Sequence, residues 1–306
     1  MDAGLELKHL QALVGIADTG SFSAAAASIG TVQSNVSAHV AKLERELEVQ
    51  LVDRASGRLT DEGEVVVARA RRLMSELDAL VADVTALRAE VVGTVRLGMI
   101  GTTGRWLVPQ LFDLLRDRHP HIHLNVAEGS SAQLELQLAS GTLDLAVVTF
   151  PLAGDDILVA ELFEEDLMLV VPRDHPLAQE TSLPLERLTD MELLLPPPGS
   201  ALRAEIDSAI VPARLTLHPA MEIDGVRTIA SLVFDGYGPA ILPATAVPGH
   251  LREKFVGIPV DGLPRRRVGV AQRRRGLPSA PVRAVIDVLG LVVNDSLSMP
   301  EGIHPV

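Results

Sequence analysis

Gln33, Ser34, Asn35, Ser37 and His39 crowd the start and exposed face of a helix predicted over about 32–47. Glutamine and asparagine amides offer a donor beside an acceptor, the pair that matches an adenine edge. Serine hydroxyls suit phosphate oxygens, contacts that position a protein on a duplex without reading its sequence. Ser21 and Ser23 stand before an alanine-rich helix over 24–28, where a hydroxyl and free backbone N–H groups cap the helix or grip phosphate. A second group of hydroxyls lies later in the chain. Gly101-Thr102-Thr103-Gly104 follows a predicted strand and opens a helix over 105–118, Thr149-Phe150 ends a strand over 143–150, and Gly199-Ser200 precedes a helix from Leu202. Helix N-termini favour anions, and strand ends are where α/β sheets present ligands. Caps and turns use the same residue types, so both readings stand at this level.

Other chemistry finds little support. The 306 residues contain no cysteine, which excludes disulfides, thiolate metal sites and a cysteine nucleophile. His119, His121 and His123 alternate and could share a strand face around a metal, but solvated histidines at a strand entry are the simpler reading, and no metal or other cofactor is expected. Gly98, Gly101 and Gly104 have the wrong spacing for a dinucleotide fingerprint, and neither a phosphate-binding P-loop nor a Gly-x-Ser-x-Gly elbow occurs. The arginine runs 265–267 and 273–275 read as solvated edges. Net charge is −13, which argues against a polybasic nucleic-acid coat but not against a local DNA-reading surface. No apolar run reaches the roughly 18 residues of a membrane span, and the N-terminus lacks the basic-then-apolar pattern of a signal peptide; a cytoplasmic protein is expected.

The elements that position these residues fall into three textures. Leu7, Leu10, Leu13, Val14 and Ala17 mark a first helix, and Val36, Val40, Leu43 and Leu47 mark the buried face of the third. Three short helices with a Gly30-Thr31 turn before the last form a helix-turn-helix pattern. A short extended piece turns at Ser56-Gly57. Thr60 then starts a helix predicted to run to about Val91, near 30 residues and about 45 Å long. Its stripe of Leu73, Leu77, Leu80, Val84 and Leu87 is too long for a small domain to cover, so the expected partner is the same helix of a second chain. After Gly93, strands and helices alternate, which predicts a parallel, helix-covered sheet. The tail 297–306 has no period and is expected to be loose.

The segment 21–54 resembles the LysR-type transcriptional regulators in Ser21-Phe22, Ala25-Ala26, Gln33, Ser37, Leu43-Glu44, Leu47, Leu51 and Arg54, continuing through Leu59-Thr60 and Gly63. The sheet entry from Gly93 to Gly98, His119-Pro120, the strand after Gly141 and the turn at Gly236 extend the likeness over nearly the whole chain. Val32 stands where the family usually has Ser or Thr, Glu48 replaces the usual Gly, Val52 the usual Phe, and the wing between Arg54 and Thr60 is two residues shorter.

The resemblance implies an α/β chain with an all-α N-terminal part: a winged helix-turn-helix over 1–60, a linker helix over 61–92 and an effector domain over 93–306. Its two lobes would take about 93–164 with 267–306, and about 165–266. The implied DNA contacts are Ser21, Ser23, Thr31, Gln33, Ser34, Asn35, Ser37, His39, Lys42, Arg54 and Arg58. The implied effector contacts are Thr102, Thr103, Thr149, Phe150, Gly199 and Ser200, facing one another across a cleft. Expected partners are double-stranded DNA, a small-molecule effector, further copies of the chain as homodimer or homotetramer, and RNA polymerase, with no catalysis. Residues 1–58 hold five cations against seven anions, so one isolated domain should bind DNA weakly and gain from pairing. A solute-binding protein of similar two-lobed shape and an α/β enzyme using Asp144 or the histidines are the rivals.

Overall fold

The computed structural model describes residues 4–87, 90–274, 276–295 and 299–306. Asp2, residues 88 and 89 of the expected linker helix, Arg275 and residues 297 and 298 of the tail lie outside them.

Three helices open the chain: α1 (Leu7–Thr19), α2 (Phe22–Ser28) and α3 (Gln33–Leu47). Leu13, Ile16, Val36, Val40 and Leu43 meet in one core, which Leu51 and Val52 complete from the wing. The wing itself is a single antiparallel bridge between Val52 and Leu59. Its turn is held by Asp53, whose carboxylate accepts from the Ala55 and Ser56 amides and the Ser56 hydroxyl. Those bonds, led by the Ala55 amide, hold the Asp53 carboxyl below its usual range.

Thr60 caps α4 (Asp61–Ala86) by accepting from the Gly63 amide. Gly63 is required by contact: a Cβ there would lie 2.1 Å from the Leu51 carbonyl oxygen. Val67 and Ala70 of α4 belong to the helix-turn-helix core. Further along, one face of α4 docks on its own chain, which sequence periodicity had assigned chiefly to a partner. Arg72 donates to the Ala139 carbonyl, and Asp83 accepts from the Ala280 amide at 2.7 Å.

Two six-stranded sheets follow. The elements are β1 (Gly93–Met99), α5 (Gly101–Arg118), β2 (Ile122–Glu128), α6 (Ser131–Ser140), β3 (Leu145–Phe150), β4 (Ile157–Glu165), β5 (Leu167–Pro172), β6 (Leu183–Pro184), β7 (Glu192–Leu195), α7 (Ala201–Ile210), β8 (His218–Glu222), α8 (Val226–Phe234), β9 (Ala240–Pro243), β10 (Phe255–Asp261), β11 (Arg266–Arg273), α9 (Ala280–Val293) and β12 (Ile303–Pro305). The first sheet runs β12-β4-β11-β3-β1-β2 and the second β6-β10-β5-β9-β7-β8.

Both sheets are mixed, which corrects the all-parallel expectation. Each holds a parallel trio, β1 with β2 and β3, and β7 with β8 and β9. The strands at each crossing between sheets join antiparallel: β11 pairs with β3 and β4, and β5 with β9 and β10. A chain that leaves the first sheet through β4 and returns through β11 runs in opposite directions along the two crossings. The tail is also not loose: β12 pairs with the edge of β4, Ile303 is buried, and His304 Nε2 lies 2.9 Å from Asp166 Oδ2.

Candidate DNA interface and effector cleft

The N-terminal edge of α3 is open. Val32 sits at the cap position in extended backbone and supplies no side-chain acceptor, so the first amides of α3 are not bonded by a cap. Gln33 and Ser34 are exposed beside it, as is Asn35, whose side-chain amide donates to the Thr31 hydroxyl at 2.9 Å. Ser37 is half-buried. At α2, Ser21 accepts from the Ala24 amide and Ser23 is exposed. This set forms one polar edge made of two helix starts.

The remaining candidates are committed differently. His39 is half-buried against His9, ring centroids 5.4 Å apart, because both line the seam between α1 and α3. Lys42 reaches Glu6 at 3.5 Å, and Arg54 pairs with Glu44 at 2.9 Å while lying over the Phe22 ring. The Glu44 carboxylate also accepts from the Leu51 amide, so it anchors the wing as well as Arg54. Arg58 is exposed and forms no ion pair among the described residues, as does Arg45 in the last turn of α3, a cation outside the predicted set.

The linker residues Leu73, Leu77, Leu80, Val84 and Leu87 are all solvent-exposed in the protomer, from 46% to 87%. They open on the side of α4 opposite the face docked on the sensor.

The effector set is partly corrected. α5 begins at Gly101, four residues before its predicted start, so Thr102 and Thr103 sit in its first turn and face the core. The Thr102 hydroxyl is hydrogen-bonded to that of Thr245 at 3.0 Å. Thr149 is buried and bonded to Ser131, and Ser200 caps α7. Phe150 is covered by the Arg267 guanidinium at 4.6 Å. Gly199 is exposed at positive φ. These residues therefore serve separate local structures, and Thr102 and Thr103 have no open face.

Between the sheets lie charges that the sequence did not single out. Glu165, fully buried at the end of β4, faces Arg266 at the start of β11, 2.8 Å away. Thr245 donates to the other oxygen of Glu165, and Glu205 of α7 lies 2.8 Å from Arg266. Burial pushes the Glu165 carboxyl up, with Arg266 opposing. A groove of about 320 Å³ runs beside β1 and β2, lined by Arg105, Glu128 and Arg227. Arg227 of α8 pairs with Glu128 across the sheets. Burial and the Arg227 charge draw the Arg105 guanidinium below its usual range. The one sequence signal for this groove is Glu128 itself, a carboxylate at the end of a strand leading into a turn.

Residues 7–64 match the family model described as bacterial regulatory helix-turn-helix protein, lysR family, and residues 88–292 match the LysR substrate binding domain. The chain belongs to the LysR family. This LysR-family protein is 34% identical over 279 residues to a probable hydrogen peroxide-inducible genes activator of Streptomyces viridosporus, covering 87% of the chain and 88% of that protein. It is 28% identical to the Escherichia coli DNA-binding transcriptional dual regulator OxyR over 92% of both. A cysteine-to-aspartate variant of full-length OxyR from Pseudomonas aeruginosa superposes with a TM-score of 0.75 at 27% identity, over 98% and 97% of the two chains. The LysR-family chain is thus a DNA-binding transcription regulator controlled by an effector, not an enzyme. Among the described residues no helix is long and apolar enough to cross a membrane.

Proposed function

We propose that the regulator reads its operator with the open start of α3, in a cytoplasmic assembly paired through the exposed leucine seam of α4. Gln33 and Ser34 meet base edges, Ser21, Ser23 and Thr31 meet backbone phosphate, and Arg58 adds a phosphate contact from the shortened wing. Lys42, Arg54 and His39 support the surface from behind. The functional units are the helix-turn-helix to residue 60, the linker over 61–92 and the two lobes beyond. Operator-bound pairs, or pairs of pairs, present a surface to RNA polymerase. The carrying observation is the uncapped, exposed N-terminal edge of α3. Footprinting tests it: Gln33→Ala is expected to cost about 1–3 kcal/mol and to relax preference at one base position. Unchanged affinity and preference would refute the assignment.

The effector reading favours a small anion entering between the lobes, since Arg105 and Arg227 outnumber Glu128 in the groove that joins them. Closure of the lobes would act on Thr102 through Thr245. Relatives carry peroxide-inducible names, but these 306 residues hold no cysteine, so no sulfenic acid or disulfide can form on them, and this reading takes a bound molecule as the signal. A thermal shift with organic acids that persists unchanged in Arg105→Gln would refute the anion site.

A further inference from the structure

A cavity of about 470 Å³ separates the linker helix α4 from the first lobe. It lies on the opposite side of α4 from the leucine seam: at about 100° per residue, Ser75, Asp78 and Ala82 point roughly 180° away from Leu73, Leu77 and Val84. Pairing of two linkers therefore leaves it open. The size falls within the range of small-molecule pockets.

Its walls carry charges that the fold uses only in part. Arg96 is half-exposed, and its guanidinium makes no hydrogen bond of its own among the described residues. Its approach to Asp144 is 3.7 Å, beyond hydrogen-bond range. Asp144 is already engaged, accepting from the Arg96 backbone N–H at 2.8 Å and from Ser75. Across the space, Glu76 and Asp78 of α4 form no ion pair among the described residues. Ala82 and Pro281 give the remaining wall an apolar strip. Arg96 is held by a single 3.7 Å ion pair to Asp144, and Arg273 in the same wall donates to the Leu138 and Leu143 carbonyls; with Glu76 and Asp78 opposite and an apolar patch beside them, the lining matches a molecule that carries both charges.

We propose that this cavity is a second ligand site, separate from the cleft between the lobes, and that it takes a small zwitterion of the α-amino-acid class. The ligand carboxylate meets Arg96, its ammonium meets Glu76 and Asp78, and its side chain lies along Ala82 and Pro281. Such a ligand touches the linker and the lobe at once. It binds only when α4 is docked, so it stabilises that arrangement by its difference in affinity for docked and undocked forms.

Calorimetric titration of the full chain with each proteinogenic L-amino acid tests this, with the decarboxylated amine and the deaminated acid of any that bind. At least one amino acid is expected to bind, and both truncated forms to bind about tenfold more weakly or worse. Arg96→Gln and Glu76→Gln are each expected to lower the affinity about tenfold, while Arg105→Gln in the inter-lobe groove leaves it unchanged. The Arg96 side chain is half-exposed and its tie to Asp144 runs through the backbone, so Arg96→Gln keeps the fold, which its melting curve verifies. A chain that binds no amino acid would overturn the proposal. So would binding that survives both cavity substitutions, or that is lost in Arg105→Gln.

Discussion

Arg71 on the linker helix pairs with Asp18 at the end of α1 through one terminal nitrogen, and its other terminal nitrogen donates to the Thr142 hydroxyl of the first lobe at 3.3 Å. One side chain thus ties the DNA-binding domain, the linker and the sensor. Asp18 is more than half exposed, so the pair adds only about 0.2–1 kcal/mol to stability. Arg71→Met is expected to speed hydrogen exchange both at the end of α1 and around Thr142, whereas Asp18→Asn speeds it only at α1. Equal effects of the two substitutions would show that the tie is not shared.

The ion pair of Glu165 and Arg266 sits where the two sheets join, and neither group reaches water. Arg266→Met strands the carboxylate and is expected to cost about 3–5 kcal/mol in urea unfolding. The double variant with Glu165→Met is expected to recover part of that, because it removes the pair's desolvation cost along with its attraction but leaves Glu205 without Arg266. If the double variant is no more stable than Arg266→Met, the pair holds the junction of the sheets by shape and not by charge.

Both ends of the recognition helix depart from the best local chemistry. Val32 occupies the cap position with extended backbone and no acceptor. Val32→Thr supplies one and is expected to stabilise the domain by about 1 kcal/mol. Glu48 ends α3 at φ 56°, in the left-handed region. Glu48→Gly relieves that conformation and is expected to add about 0.5–1 kcal/mol. Melting of the full chain, followed at the helix-turn-helix transition, measures both.

His9 is buried in the helix-turn-helix core, and its Nδ1 accepts from the Glu6 amide at 3.2 Å. Burial, then the Lys42 charge, pushes its imidazole below the usual range, with Glu6 opposing and His39 and Lys8 adding to the shift. The folded state therefore holds His9 neutral, while the unfolded chain takes up a proton as pH falls through about 6.5. Stability contributed here is present above that pH and lost below it. His9→Gln, which keeps an acceptor at the same helix position, is expected to flatten the loss of stability between about pH 7 and 5. An unchanged slope would assign the acid sensitivity to other groups.

The exposed seam makes a clean assembly test. Leu77 and Leu80 are 46% and 62% exposed in the protomer, so Leu77→Asp with Leu80→Asp leaves the single chain folded and places charges only in the paired state. Light scattering is expected to show the smaller species. Operator affinity should fall about 10²–10⁴-fold as the effective concentration of the second reading head is lost.

Much of this was legible in the residues. The helices over 131–140, 226–234 and 280–293 follow from periodicity, and Ser130, Ser200 and Thr60 mark the starts of α6, α7 and α4 as the cap rules require. Thr102 and Thr103 were misplaced because Gly101 and Gly104 read locally as breakers, while packing on α9 and on the turn that carries Thr245 draws the helix back over them. β7 was missed because its four residues are too short for a period and run into Pro196, Pro197 and Pro198. β12 shows no pattern because only Ile303 of its residues is buried. Strand direction in the mixed sheets was hidden for another reason: it depends on where the chain crosses between lobes. His39 looked free because its partner, His9, lies thirty positions earlier, on a face that no local pattern marks.

The 26 residues of α4 form a rod of about 39 Å between the reading head and the sensor. Docked along its second half by Arg72, Ser75 and Asp83, it leaves the roughly 17 Å from Asp61 to Arg72 as a lever arm. A tilt of about 12° at the sensor sweeps the other tip by about 3.4 Å, which is the rise of one base step along a DNA strand. A ligand that tilts the docked half can thus move the two recognition helices of a pair from one operator spacing to the next.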